Sequence, residues 1–377
     1  MMGTDERGQL QMISTTVSHG DPFPLSANRF DTGGAELLTQ YETLLRNNVV
    51  HWAAEYRKIR ILGKGGQGVV YLSERQGIDL FRLPVALKIF SPESYRDVPS
   101  YVADMARIAD ISSRVALIQH DNLVDLHNFI ALSGIRIMVM EWVDGYDLRE
   151  LMSAHTFEKS RDRLRPERWA AVQRVILAEG PKQTRYKPGV AIQILRECLA
   201  GLAALHRDGI VHGDIKPANI MVKRTGAAKI IDIGSAMDLD QASARRMWSP
   251  AYTAPEVLKG GKNTPQSDLA SLGYVLIEML AGQSPFDGLN DYPSLLAAKQ
   301  DLDKRLKELL PVDVSCNDML LNLCQKLIAP DPAKRFRDAQ AADLDRKGAA
   351  DFHRQLIKGD LASEYEHDLR LWLEELN

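Results

Sequence analysis

The densest chemistry in the chain lies between His212 and Asn219, where an acid, a cation and an amide share one short stretch. There Asp214 can orient a hydroxyl and accept its proton, and Lys216 can neutralise charge on a transferred phosphoryl group. Asn219 can offer Mg2+ a carbonyl oxygen. A loop with a structural task alone rarely needs all three. Further on, Asp232-Ile233-Gly234 closes a β-rich run. A carboxylate there suits a second Mg2+ contact, because this ion takes few protein oxygens and completes its shell with water and phosphate. Far upstream, Gly63, Gly65 and Gly68 spell G-x-G-x-x-G. Glycines let backbone amides approach and cradle negative oxygens, although the same run also reads as a plain glycine-rich hairpin. A dinucleotide site would need a helix directly after it, and Val69-Val70-Tyr71-Leu72 continues as strand. Lys88 ends the apolar run Val85-Ala86-Leu87. It reads either as an edge residue with its stem along the sheet or, beside the glycines, as a holder of nucleotide phosphates.

The elements that must position these groups fall into two blocks. Ile59 and Ile61 alternate with Lys58 and Arg60, and residues 69–72, 85–90 and 135–143 are further β-rich runs. With one helix over 100–118, they make a small sheet domain. After residue 144 helices dominate: 194–206 is amphipathic, and 269–280 is apolar on nearly every face, which marks a helix buried in a large lobe. Two short strands, 220–222 and 229–233, sit between them. Residues 35–46 carry helical spacing, and 339–376 reads as two polar amphipathic helices split near Gly359. The organisation expected is a partly disordered N-terminal segment with a short helix over 1–54, a sheet lobe over 55–142, a helical lobe over 143–337, and a helical extension over 338–377.

Composition excludes several classes. The 377 residues are 45% hydrophobic and 26% charged with a net charge of −3, which rules out collagen, an acidic disordered chain and a small disulfide scaffold. No basic excess points to nucleic acid. Cys198, Cys316 and Cys324 are too few and scattered for a zinc site or disulfide framework. No apolar run approaches the roughly 18 residues of a membrane span, and the polar start lacks a signal-peptide core. A soluble, cytoplasmic protein is expected, with no membrane or nucleic-acid partner.

In order and spacing, these motifs resemble the eukaryotic-like Ser/Thr protein kinases of bacterial type, over about residues 55–337. The resemblance rests on the glycine loop, the strand ending at Lys88, His120-Asp121-Asn122-Leu123-Val124, the Met140-Glu141-Trp142-Val143 segment, the 212–219 loop and Asp232-Ile233-Gly234. It also rests on Ala254-Pro255-Glu256, Asp268, and Arg335 in an Asp-Pro-Ala-Lys-Arg-Phe run. It implies an α+β bilobal kinase fold, a small antiparallel sheet lobe with one helix above a larger helical lobe. It further implies ATP and Mg2+ as cofactors, and signalling by phosphorylation of Ser or Thr in a protein substrate. By the same resemblance Gly63, Gly65 and Gly68 cover the phosphates, and Lys88 contacts the α and β groups. Val70, Ala86 and Met221 sandwich adenine, whose edge pairs with the backbone of Glu141 and Val143. Met140 is the gatekeeper and Asp147 the ribose contact, though Met140 and Met221 equally serve as core filler. Asp214 is the catalytic base, Lys216 and Lys88 stabilise transferred charge, and Asn219 and Asp232 hold Mg2+. Glu256 pairs with Arg335 in a structural role, and the Ser249 hydroxyl packs against Asp214 and Lys216.

The chain departs from the kinase pattern in three places. Gly213 stands where many of these kinases carry the arginine that gathers an activation-loop phosphate. The helix glutamate expected beside Lys88 is missing; Asp110 is nearest the required spacing and Asp104 second, and either acid can instead face solvent. Residues 152–188 exceed the family's need and hold Arg161, Arg163, Arg165, Arg168, Arg174, Lys182, Arg185 and Lys187. They read as a solvated insertion or as a docking surface for an acidic partner. Two other functions compete: a nucleotide-binding pseudokinase scaffold, favoured by the absent glutamate, and a small-molecule phosphotransferase of the aminoglycoside- and choline-kinase type, favoured by His212-Gly213-Asp214.

Overall fold

Alternating and continuous apolar runs build the first sheet. In the computed structural model, which describes Thr43, Leu45 and residues 55–239, 249–358 and 365–376, strands β1 (Glu55–Gly65), β2 (Gly68–Gln76), β3 (Arg82–Phe90), β4 (Leu126–Leu132) and β5 (Ile135–Glu141) form an antiparallel sheet ordered β1-β2-β3-β5-β4. β3 is central, and its Val85, Ala86 and Leu87 are buried. Helix α1 (Val98–Val115) starts at Asp97, whose side chain accepts from Ser100 N at 2.8 Å. Its stripe Tyr101, Met105, Ile108, Ile111 and Val115 is buried, the spacing of one helical face.

The larger lobe surrounds two apolar helices. α2 (Leu148–Leu151) follows the short strand β6 (Gly145–Asp147), and the insertion then forms α3 (Ala154–Arg163), α4 (Pro166–Val175) and a hairpin of β7 (Leu177–Ala178) and β8 (Arg185–Tyr186). α5 (Pro188–Arg207) is long and apolar enough to cross a membrane by length and composition. In this fold its Ile194, Leu195, Leu199 and Leu202 are instead fully buried as the axis of the lobe. After β9 (Ile210–Val211), β10 (Ile220–Lys223) pairs with β11 (Ala228–Ile230) and with β6, while β12 (Met237–Asp238) pairs with β9. α6 (Pro255–Leu258) precedes α7 (Pro265–Ala281), which is buried from Ser267 to Ala281. A Thr264–Ser267 capping box opens α7, and Gly282 closes it at φ 67°. α8 (Tyr292–Leu309), α9 (Val312–Ser315) and α10 (Asp318–Ile328) complete the base.

The C-terminal extension has three described helices rather than two: α11 (Ala339–Leu344), α12 (Ala349–Lys358) and α13 (Tyr365–Glu375). The first break comes where Asp345 leaves the helix extended and Lys347 takes φ 68°; Gly359 lies outside the described residues. The chain divides into two compact units, Met1–Ala54 and Glu55–Asn377. Of the first, Thr43 and Leu45 are described, both helical and exposed, so the helix expected over 35–46 otherwise lies outside the described residues.

Candidate functional site

The glycine run is the turn of the β1–β2 hairpin, with Lys64 opposite Val69 and Gly65 opposite Gly68. Gly68 lies at φ 139°, and any Cβ there would overlap the Ile89 carbonyl, so only glycine fits. Gly63 and Gly65 face open space, with nothing within 4 Å of a built Cβ. β2 pairs Val70 with Lys88, and β3 pairs Ala86 with Met140. The lysine, 3% exposed, therefore stands just inside the glycine turn.

Asp232 meets Lys88 in an ion pair from the opposite lobe. Its backbone is left-handed at φ 61°, which turns the carboxylate back over Gly234 N at 3.0 Å. Burial alone would raise its pKa; the Lys88 charge and the bonds from Lys88 and Gly234 outweigh it and hold the carboxyl below the usual range. The other expected partner of Lys88 is not there. Asp110 is exposed on α1, because the buried stripe through Ile108 and Ile111 turns residue 110 to the outside. Asp104, on the inner edge, accepts from Arg107 at 3.0 Å and from the Tyr95 hydroxyl at 2.6 Å. The second partner of Lys88 Nζ is Gln67 Oε1, from the glycine turn.

The 212–219 loop is held from below by Asp268. One of its oxygens accepts from His212 N and the other from Gly213 N, both at 2.9 Å. Gly213 sits at φ 75°, and a Cβ would stand 3.1 Å from the Ser235 carbonyl oxygen. On this base Asp214 Oδ2 accepts from Lys216 Nζ at 2.6 Å and Asn219 Nδ2 at 3.2 Å, and Oδ1 accepts from Ser249 N at 3.2 Å. Lys216 also donates to Ser249 Oγ at 2.9 Å, as the sequence led one to expect. Asn219 spends its NH2 on Asp214, including the backbone oxygen at 2.8 Å, which turns its amide oxygen away. Asp232 accepts from Lys88 and Gly234 through Oδ1, so Oδ2 would be the oxygen it offers to a metal ion. Two hard oxygens on facing segments fit Mg2+, whose remaining shell phosphate and water would fill. Among the described residues no cluster of three or more His, Cys, Asp or Glu is placed to bind a metal.

Along the wall between the lobes, Met140 is 7% exposed at the end of β5 and Val143 is 7% exposed beyond it. The Glu141 side chain points away from the strand partner to Lys229 and to Asp125 N at 2.7 Å. Asp147 caps α2, accepting from Glu150 N at 2.8 Å, and pairs in register with Met221.

Below the loop, Arg335 binds both oxygens of Glu256 at 2.7 and 2.8 Å, the structural pair foreseen. Lys299 was not foreseen. It is 1% exposed, donates to the Ala251 carbonyl at 2.5 Å and lies 4.1 and 3.8 Å from the ring centres of Tyr274 and Phe286. Burial pulls its pKa down to about 6. The spacing Leu295, Lys299, Leu302, Leu306 was the signal, since it places a lysine in an apolar stripe. Gln67 gave no such signal, because a polar residue in a glycine turn reads as solvent-facing.

Several side chains of the basic insertion are tied down within the chain. Arg168 pairs with Glu375 at 3.1 Å, Arg163 donates to the Leu376 carbonyl at 3.1 Å, and Arg185 pairs with Asp313 at 3.1 Å. Lys182 pairs with Asp287. Trp372 of α13 is fully buried, its Nε1 donating to Ser160 Oγ at 3.1 Å. The hairpin of the insertion also reaches α7: Gln183 donates to Glu278 at 3.0 Å, and Glu278 accepts from the Tyr252 hydroxyl at 2.7 Å.

Comparison with known proteins agrees with this geometry. The chain is 29% identical over 309 residues to the serine/threonine-protein kinase PrkC of Bacillus subtilis, covering 80% of this chain and 41% of that one. It is 29% identical over 312 residues to the probable serine/threonine-protein kinase PknB of Lactococcus lactis, covering 79% and 43%. Against the serine/threonine-protein kinase PknL of Mycobacterium tuberculosis it is 29% identical over 300 residues, covering 77% and 64%. The chain thus spans about two fifths of the length of the first two relatives. The protein kinase domain family matches residues 56–344, which takes in both lobes, the glycine turn and the 212–219 loop, and the chain belongs to that family.

Proposed function

We propose that this chain is an ATP-dependent protein kinase that phosphorylates Ser or Thr hydroxyls of a protein substrate. One observation carries the reading: the Asp214 carboxylate is fixed by Lys216, Asn219 and the Ser249 amide beside the segment that leads to Ala254-Pro255-Glu256. An acid so held can receive a hydroxyl and take its proton without reorganising at the moment of reaction. The acceptor oxygen bonds to the γ-phosphorus as the bond from that phosphorus to the β,γ-bridging oxygen breaks. The proton passes to Asp214, and ADP leaves. Lys216 faces the transferred group and Lys88 the α and β phosphates. Gly63, Gly65 and Gly68 cover them. Val70, Ala86 and Met221 enclose the adenine, Met140 limits its depth, the backbone of Glu141 and Val143 pairs with its edge, and Asp147 meets the ribose. Mg2+, held by Asn219 and Asp232, supplies charge neutralisation on the phosphate oxygens when bound.

The relatives' names favour Ser and Thr acceptors, and Lys216 beside Asp214 favours the same class. We assign the protein to the cytoplasm, where ATP is present and where Cys198, Cys316 and Cys324 stay free thiols. The test is incubation of purified protein with γ-labelled ATP, Mg2+ and a mixed protein acceptor, then mass spectrometry. Phosphoserine or phosphothreonine formed by the wild type and not by Asp214→Asn is the expected result. ATP binding with no transfer would make the chain a scaffold, and label appearing on small molecules alone would make it a small-molecule phosphotransferase.

A further inference from the structure

Lys88 lacks a carboxylate on α1: Asp110 is exposed, and Asp104 is engaged by Arg107 and Tyr95. The place beside the ammonium is filled from the glycine turn. Lys88 Nζ donates to Gln67 Oε1, and Gln67 Nε2 donates to Ser235 Oγ at 3.1 Å. The orientation of this amide follows from its partners, oxygen toward the ammonium and nitrogen toward the hydroxyl. Gln67 stands on the helix side of the lysine. It lines a cavity of about 20 Å3, room for one water, with Asp104, Arg107 and Ile108 on one wall and Gly234 and Ser235 on the other. Gly234 leaves the space open, since a Cβ there would sit 2.5 Å from Gln67 Oε1 and 2.7 Å from Lys88 Nζ. The helix itself is tied to the segment after Asp232 by other means: Arg107 donates to the Ala236 carbonyl at 2.7 Å, and Arg114 pairs with Asp238.

We propose that Gln67 is a positioning residue for the kinase reaction, taking the place of the missing helix carboxylate; this rests on the function proposed above. Its amide oxygen holds the Lys88 ammonium toward the nucleotide phosphates, and its nitrogen ties the glycine turn to Ser235. Because α1 is anchored by two arginines, no ion pair between the helix and Lys88 is needed to keep the helix in place.

The role predicts a loss confined to ligands that carry phosphate. Wild type, Gln67→Ala, Gln67→Glu and Lys88→Met are titrated calorimetrically with ATP and, separately, with adenosine. Gln67→Ala is expected to bind ATP about tenfold more weakly, the scale of one hydrogen bond to a charged group, and adenosine as wild type does. Gln67→Glu keeps an acceptor for the ammonium and recovers most of the ATP affinity. The proposal is overturned if Gln67→Ala weakens both ligands equally or neither, or if Gln67→Glu is no better than Gln67→Ala. Lys88→Met separates the two levels. Loss of ATP affinity in Lys88→Met but not in Gln67→Ala overturns the role of Gln67 alone. Unchanged ATP affinity in Lys88→Met overturns the kinase reading of that lysine as well.

Discussion

Replacing Gly213 by alanine tests whether the loop that carries Asp214 depends on a glycine at this position. The backbone at this position is left-handed, at φ 75°. An L side chain in that region costs roughly 1–2 kcal/mol. The new Cβ would also stand 3.1 Å from the Ser235 carbonyl oxygen and 3.2 Å from the Met237 methyl, distances that force a local shift. Swinging the peptide away is opposed by Asp268, which holds Gly213 N at 2.9 Å and His212 N at 2.9 Å. Together these make ~3 kcal/mol, taking the crowding at the low end of the usual range for overpacking. For the folded unit of about 320 residues this lowers Tm by ~4 °C. Asp214 is the next residue, so kcat should fall at least tenfold, because displacements on the order of 1 Å near reacting groups have large effects. Thermal melts and peptide phosphorylation rates are to be read for Gly213→Ala, Gly213→Asn and Gly66→Ala. Asparagine tolerates the left-handed region better than alanine and should fall between Gly213→Ala and wild type. Gly66 has nothing within 4 Å of a built Cβ, so Gly66→Ala should melt within about 1 °C of wild type. A Gly213→Ala protein that melts like wild type and keeps its kcat would refute the reasoning.

Three further outcomes are expected. Asp232→Asn and Lys88→Met should each lower turnover at least about a hundredfold, the scale for losing one preorganised electrostatic contact; near-normal transfer by both would dissolve the assignment of that pair. Lys299 should make stability depend on pH in a defined window. With its folded pKa at about 6 against 10.5 as the ordinary value, the unfolded chain binds a proton between those limits that the folded chain does not. Stability therefore rises with pH there. Relative to Lys299→Met, wild type should gain about 2–3 kcal/mol between about pH 6.5 and 8.5 in urea titrations, and a flat difference would show the buried amine to be charged. Finally, phosphatase-treated protein should keep its peptide-kinase rate within about tenfold, because a phosphate orders a loop only where a fixed cation meets it and Gly213 supplies none. A larger drop, reproduced by Ser243→Ala at a position outside the described residues, would contradict this.

What could be read from the sequence was local. The 212–219 loop, the glycine turn and the strand of Lys88 each carry their chemistry within a few residues, and the small sheet and buried α7 follow from apolar spacing. The partner of Lys88 was misplaced because sequence distance, not helix face, selected Asp110. The stripe Met105, Ile108, Ile111, Val115 turns that residue outward, and the face was there to be counted. Gln67 was beyond such counting, since only the closing of the hairpin over the sheet brings it to Lys88. The fate of the basic insertion was equally hidden. Its arginines find Glu375 and the Leu376 carbonyl more than 200 residues downstream, pairings that no local pattern encodes.

That long reach also sets an order of events at the ribosome. Ser160 is made 212 residues before Trp372, the indole that covers it. At typical synthesis rates the interval is roughly 10–40 s, long compared with the formation of helices and hairpins. Throughout it, the surface of α3 and α4 that Trp372 and Glu375 will cover stands open to solvent. A nascent chain therefore passes through a period in which the 212–219 loop has been made but the insertion is unlatched. The latch closes only once Trp372 has been made, and a chain truncated before Tyr365 would lack it while keeping every residue of the 212–219 loop.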